Sequence, residues 1–300
     1  MKPTATETLN ACPVCNETKI ETYLELADYS ISKEPFSIAK CSKCGFLFTN
    51  PRPNKEHIGP YYESEDYISH SNSSKGLMNT IYKQVRHYTI AKKVAMMMRI
   101  VDGKKTLLDY GCGTGEFLNV MQLNKWQVKG IEPGDGPRNQ AISNYKLAVT
   151  PPDSIFSMEN ESFSIITMWH VLEHIHDLNE TLAQLRKLLT KTGKMVIAVP
   201  NCEAKDIEFY GKHWAGWDVP RHLYHFSEDT LSKLLAKHQL KITDIKPMAF
   251  DSFYVDLLSE KYRSGSMNPV RAFWNGFRSN LAGVAKINKY ASLIYIVSKE

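Results

Sequence analysis

From Thr106 to Pro200 the chain alternates short apolar runs with amphipathic ones, and this alternation narrows its possible folds more than any other feature. "TLLDY", "VKGIE", "KLAV", "FSIITMW" and "KMVIAVP" have the length and apolar content of buried strands. Between them, "EFLNVMQLN", "PRNQAISN" and "LNETLAQLRKLL" read as helices. In the last of these, Leu178, Leu182, Leu185 and Leu189 share a face, and Asp177 and Glu180 form a plausible capping pair. Strands that alternate with helices build a parallel sheet covered on both faces, so the expected class is α/β. Ligands of such sheets sit at the carboxyl ends of the strands.

The cysteines ahead of this region are paired. Cys12, Cys15, Cys41 and Cys44 form two C-x2-C knuckles around short strand-like runs. Four thiolates at that spacing close a tetrahedral Zn²⁺ site with no position left open, so the metal is expected to be structural and the module (residues 1–52) a zinc ribbon. Cys112 and Cys202 read as small buried residues. Residues 53–102 read as a linker and a helical lead-in. The boundary segment 50–76 is rich in Pro, Ser, Asn and Tyr, and apolar residues at helical spacing follow (Ile81, Val85, Tyr88, Val94, Met97, Ile100).

"LLDYGCGTGEFL" places Gly111, Gly113 and Gly115 after a strand and at the mouth of a helix. A dinucleotide fingerprint would have a third glycine where Glu116 stands, and Asp109 would face a pyrophosphate unfavourably. A carboxylate there suits a ligand with an ammonium group, and Glu132, ending the next strand, can accept from both hydroxyls of a ribose. Ammonium, ribose and no pyrophosphate describe S-adenosylmethionine (SAM). With "GIEPG" and "SFSIITMWHVLEHIHD" following in order, residues 106–200 resemble the class I SAM-dependent methyltransferases. The resemblance implies a Rossmann-like seven-stranded sheet with helices on both faces, over residues 103–300. "LKITDIKPMAF" and "ASLIYIVSKE" would be its last two strands. It further implies that Asp109, Gly111, Gly113 and Gly115 line the methionine half of SAM and that Glu132 holds the ribose. Asp153 would lie near adenine, and Trp169 and His170 would border the sulfonium. Ser164 stands where the family commonly has Asp.

"HVLEH" spaces His170, Glu173 and His174 for one helical face. It is similar to a segment associated with a divalent cation in ubiquinone-type O-methyltransferases, although "LEH" also occurs in the wider family without metal. Residues 201–226 form the expected substrate lid, ending at Ser227, a helix cap. Trp214, Trp217, Tyr224 and Phe226 are candidates to wall a pocket, with a lid packed on its own aromatics as the plainer alternative. His222 and His225 offer bases and Arg221 a substrate contact. With the cysteine module, "PRHLYHFS" resembles methyltransferases of bacterial surface-glycan and secondary-metabolite pathways, including sugar C-methyltransferases, which aligns His222 with that family's basic His. Val219 and Arg221 replace the Tyr and Glu found there.

The remaining features bound the partners. A net charge of +5 is too small for a nucleic-acid-binding signature. "MKPTATETLN" lacks a secretory apolar region and no run is long enough to span a bilayer, so a cytoplasmic location is expected. Within a helical insertion at 254–288, apolar positions 270, 273, 274, 277, 281 and 284 share a face beside four basic residues. Burial of that face against its own domain is expected over peripheral contact with a membrane. The expected activity is methyl transfer from SAM to a small-molecule acceptor, a sugar or a lipid- or nucleotide-linked glycan intermediate. The rivals are RNA methylation and SAM binding without catalysis.

Overall fold

The computed structural model describes residues 5–63, 77–101 and 103–300, and side chains outside 77–83. Residues 64–76 of the expected boundary segment, and the side chain of Ile81, lie outside the described residues. Strands β1 (Thr6–Glu7), β2 (Ile20–Ala27), β3 (Pro35–Cys41), β4 (Leu47–Thr49) and β5 (Arg52–Pro53) come first, then helix α1 (Leu77–Ile100). The alternating stretch supplies β6 (Thr106–Tyr110), α2 (Glu116–Leu123), β7 (Gln127–Ile131), α3 (Asp135–Tyr145) and β8 (Val149–Thr150). It continues with β9 (Phe163–Trp169), α4 (Leu178–Leu188) and β10 (Leu189–Pro200). After these come α5 (Asp206–Tyr210), β11 (Tyr224–His225), α6 (Glu228–Lys237), β12 (Leu240–Pro247), α7 (Asp251–Ser264), α8 (Pro269–Ala285) and β13 (Ser292–Lys299).

Seven strands form one sheet in the order β12-β13-β10-β9-β6-β7-β8. The sheet has the α/β, Rossmann-like architecture expected, with β6 parallel to both β7 and β9 and β7 parallel to β8. Phe163 to Met168 of β9 are all buried, as a strand covered on both faces requires. Ser164 satisfies itself locally: its N–H donates to the Thr106 hydroxyl and its hydroxyl to the Thr106 carbonyl, each at 2.9 Å. The missing Asp at this position therefore leaves no unsatisfied group. Leu189, expected on the face of α4, instead opens β10, and Leu188 is buried in the last turn of the helix.

Contacts divide the chain into two units, one of residues 1–64, 172–179 and 198–295, the other of 65–171, 180–197 and 296–300. The first contains a four-stranded sheet in the order β11-β4-β3-β2. Its outer strand, β11, comes from the expected lid and pairs antiparallel with β4 (Tyr224 opposite Phe48, His225 opposite Leu47). The ribbon expected at 1–52 is thus not a body apart; residues about 175 positions later complete its sheet. Phe46 stacks on Phe48 and Tyr224 and packs against Phe226. Trp214, Trp217 and Val219 share a core with Leu26, Ile38 and Leu47. In the second unit α1 packs beside α2, with an Arg86–Glu116 ion pair at 2.7 Å and Met97 fully buried.

Candidate active site

In the second unit, the loop after β6 is shaped by its glycines. Gly111 has φ +80°, and a Cβ there would come within 2.4 Å of Val171. Gly115 caps α2 at φ +84°, and a Cβ there would lie 2.7 Å from Leu147 and 2.9 Å from Ala141. Any side chain would therefore meet both backbone strain and a collision. The N–H groups of Gly111 and Cys112 donate to the Ile131 carbonyl at 2.7 and 2.9 Å, tying the loop to the end of β7. Space is open beside Gly113, where a ligand can approach the backbone.

Glu132 follows β7 and is buried; its carboxylate accepts the N–H groups of Gly113 and Gly134 at 2.8 and 2.9 Å. Burial raises its pKa against those hydrogen bonds and Arg138. A carboxylate offers about four lone-pair sites, so two remain for a diol. Asp109 is buried and accepts the Thr167 hydroxyl at 2.5 Å. Burial raises it to about 6, against that hydrogen bond and the charge of Lys93. Trp169 ends β9 with its ring under the Lys93 ammonium (4.0 Å) and edge-on to Phe117. His170 holds a left-handed backbone at φ +56°, the kind of strain that collects at functional sites. Asp153 is exposed in a 3-10 turn after β8. The expected SAM contacts all belong to this unit, at or just beyond the carboxyl ends of β6 to β9, as the topology requires.

The first unit holds two polar clusters. The four cysteine sulfurs lie within 4.8 Å of one another, with Cys12–Cys44 and Cys15–Cys41 at 3.5 Å. A tetrahedron of Zn–S bonds of about 2.3 Å has S···S edges of roughly 3.8 Å, so the cage fits that ion. The second cluster is Glu173, His174 and His222, whose ligand atoms also lie within 4.8 Å of one another. Nδ1 of His222 lies 2.9 Å from the Gly216 carbonyl, and Nδ1 of His174 lies 2.9 Å from the Arg221 carbonyl. A carbonyl can only accept, so each Nδ1 carries a proton, and in the neutral ring Nε2 is the nitrogen with the lone pair. Burial and the neighbouring His222 push His174 down to about 4, so it stays neutral. The Tyr62 hydroxyl lies 3.0 Å from the same Nδ1, and Asp218 Oδ2 lies 3.9 Å from His222 Nε2.

A family model described as a methyltransferase domain matches residues 82–245. Among curated proteins the chain is similar to ubiquinone biosynthesis O-methyltransferases. It is 28% identical over 109 residues to that of Saccharophagus degradans, covering 34% of this chain and 46% of that protein. To that of Bradyrhizobium sp. it is 25% identical over 158 residues, 49% of this chain and 62% of that one. The chain spans less than two thirds of the length of these relatives. Among solved structures it resembles magnesium protoporphyrin IX methyltransferase from Synechocystis PCC 6803 with bound SAH (TM-score 0.54, 11% identity, 82% of this chain and 100% of that one). It also resembles geranyl diphosphate C-methyltransferase from Streptomyces coelicolor, in complex with Mg²⁺, geranyl diphosphate and S-adenosyl-L-homocysteine (TM-score 0.50, 12% identity, 71% and 82% covered). At these identities the likeness to both structures is one of fold.

Three expectations for the lid change. Trp214, Trp217, Tyr224 and Phe226 are each at most 2% exposed, so they belong to the packed interior and do not line an open pocket. His225 is also internal: its Nε2 meets the Thr49 hydroxyl at 3.2 Å, it packs against Trp217, and burial holds its pKa well below the usual range. Arg221, expected to contact substrate, is fully committed to the protein. It donates to Asp28 (2.9 Å), to both oxygens of Asp218 (2.9 and 2.7 Å) and to the Tyr61 carbonyl (2.9 Å). Sequence reading missed Asp28, Thr49, Tyr62 and Asp218 as supports of this loop; an "Asp-x-x-Arg" at 218–221 was the available signal. Because Asp28 is fully buried beside Arg221, Arg221→Ala should destabilise the protein by about 3–5 kcal/mol in denaturant unfolding. A loss under about 1 kcal/mol, as for a surface pair, would contradict this role.

Proposed function

The chain belongs to the methyltransferase domain family, and on that premise we propose that it is a SAM-dependent methyltransferase that methylates a small-molecule acceptor with His222 as general base. SAM supplies a methyl group on a sulfonium. The residues of this chain supply binding, orientation and the removal of a proton. Asp109 faces the ammonium group, Glu132 the ribose, and Gly111, Gly113 and Gly115 let the backbone approach, while Trp169 and His170 border the sulfonium. Asp153 is the candidate contact to adenine. The observation that carries the base assignment is the Nδ1–H of His222 held by the Gly216 carbonyl, which keeps Nε2 as the acceptor of a proton. His174 is the second candidate, neutral and held in the same tautomer. A sugar or a lipid- or nucleotide-linked glycan intermediate is the proposed acceptor, supported by the four-cysteine module together with "PRHLYHFS". The ubiquinone biosynthesis relatives favour an oxygen nucleophile. The four cysteines hold a structural Zn²⁺ that folds the ribbon and, through β4, the strand β11.

A second reading of the same cluster has an observation in its favour. Metal-bound histidines usually give their other ring N–H to a carbonyl or carboxylate. His174 and His222 both do so, with Glu173 alongside, so a divalent cation there would activate the acceptor in place of a free base.

Metal analysis should give about one Zn²⁺ per chain, lost when Cys41 and Cys44 are changed to Ser. A folded, metal-free ribbon would overturn the assignment.

SAM affinity should be full above about pH 6 and fall below it, because Asp109, raised to about 6 by burial, becomes neutral there and no longer attracts the ammonium group. Asp109→Asn should bind SAM weakly with that pH dependence gone. Calorimetry showing parallel profiles for the two proteins would refute the placement.

His222→Ala should lower turnover by roughly 10²–10⁴-fold with little change in SAM affinity, since a base acts as the transition state forms. Near-normal turnover would exclude the role. If mild chelation abolishes activity while Zn²⁺ stays on the cysteines, and added Mg²⁺ or Mn²⁺ restores it, the cation reading replaces the base reading.

A further inference from the structure

Helix α8 wears its amphipathicity inside out. The stripe that faces the protein is made of small residues, Ala272, Gly276, Ser279 and Gly283, all buried. A Cβ on Gly276 would come 2.9 Å from Phe253, and one on Gly283 2.5 Å from Tyr290, so the helix packs too closely for larger residues. Two positions away, on the opposite side, the large apolar residues point outward. Val270 (69%), Phe273 (54%), Trp274 (57%), Phe277 (41%), Leu281 (54%) and Val284 (76%) are exposed. The expected burial of this face is therefore reversed. The stripe is also ordered within itself, with Phe273 stacked on Phe277 and Trp274 edge-on to Phe277, and Phe273 also stacks on Phe253 of α7. Scattered exposed apolar residues need no explanation, but six contiguous ones with three aromatics mark a contact surface.

The charge around the stripe selects the occupant. Between Gly265 and Ala291 there is no Asp or Glu, while Arg271, Arg278, Lys286 and Lys289 are present. Arg271 and Arg278 are exposed on the helix, and Lys286 is exposed at its end. A second copy of the same face would set three exposed cations against three, which disfavours self-pairing. Arg271 is half exposed and lies 3.7 Å from the buried Glu260 carboxylate of α7, which leaves Arg278 and Lys286 as the cations without an acid in their own segment. An apolar row rich in Phe and Trp and flanked by cations matches the interface of a bilayer with anionic headgroups.

We propose that α8 lies in the headgroup layer of an anionic membrane, with the Val270–Val284 stripe seated at the acyl boundary and Arg271, Arg278 and Lys286 among the phosphates. It docks by lying on the surface: among the described residues no helix is long and apolar enough to cross a membrane. The inference is independent of which acceptor is methylated and of which group removes its proton.

The test uses the full chain with vesicles of phosphatidylcholine alone or mixed with phosphatidylglycerol. Protein should co-sediment with the mixed vesicles, less so as salt rises, with a blue shift in tryptophan fluorescence. Trp274→Ser with Phe277→Ser should lower the bound fraction by about tenfold, and Arg278→Glu with Lys286→Glu should remove the preference for phosphatidylglycerol. All four positions are exposed, and unchanged SAM affinity in the variants shows that they remain folded. No binding to the mixed vesicles would overturn the proposal, as would equal binding by the Trp274/Phe277 variant. Dimerisation that depends on Trp274 and Phe277, without vesicle binding, would give the face to a second copy and overturn it equally.

Discussion

All three nitrogens of the Arg221 guanidinium are engaged by the protein, and the loop from Asp218 to His225 takes its shape from that engagement. Asp28 alone, buried at the turn after β2, would be pushed toward its neutral form by desolvation. The Arg221 hydrogen bond and charge, with N–H groups of Ser32 and Ile31, hold it below the ordinary carboxylate range instead. Arg221 thereby fixes the backbone on both sides of itself. Its own carbonyl takes the Nδ1–H of His174, and the next carbonyl, of His222, takes the Thr49 hydroxyl at 2.7 Å. A buried ion pair of this kind contributes little net stability over a well-packed apolar core, but it confines the arrangement to one register. Here that register points two histidines with defined tautomers.

In the second unit Asp109 and Glu132 achieve definition by a different route. Its carboxylates are held by backbone: Glu132 by the N–H groups of Gly113 and Gly134, with Asp109 supported by Thr167 from the neighbouring strand. Strand register sets these pairs, since Asp109 lies opposite both Gly130 and Thr167. Groups held this way are placed before any ligand arrives, which spares the cost of ordering them on binding.

How much of this was legible in the sequence depended on the range of the interaction. The glycine loop was readable because its constraint is local: a left-handed backbone followed by a helix mouth admits few residues, and Asp109 and Glu132 stand at fixed offsets from it. The two cysteine knuckles were readable for the same reason. The lid aromatics read as pocket walls because their partners are far away in the chain: Tyr224 and Phe226 pack on Phe46, and Trp214 and Trp217 share a core with Leu26, Ile38 and Leu47. Arg221 looked like a substrate contact because a buried Arg and a ligand-binding Arg have the same local appearance until Asp28 is placed. In α8 the periodicity gave the stripe correctly but not its direction, which was set by the glycines at 276 and 283 on the other side.

The pairing of β4 with β11 also places a demand on synthesis. Thr49 and its partner His222 are separated by 173 residues. At translation rates of about 5–20 residues per second, the ribbon is made roughly nine to thirty-five seconds before β11 exists to cover its edge. For that interval β4 is an open edge strand, with Phe46 and Phe48 awaiting Tyr224 and Phe226. The nascent chain is therefore at its most aggregation-prone in its oldest part, and its rescue comes from the segment that carries the histidines.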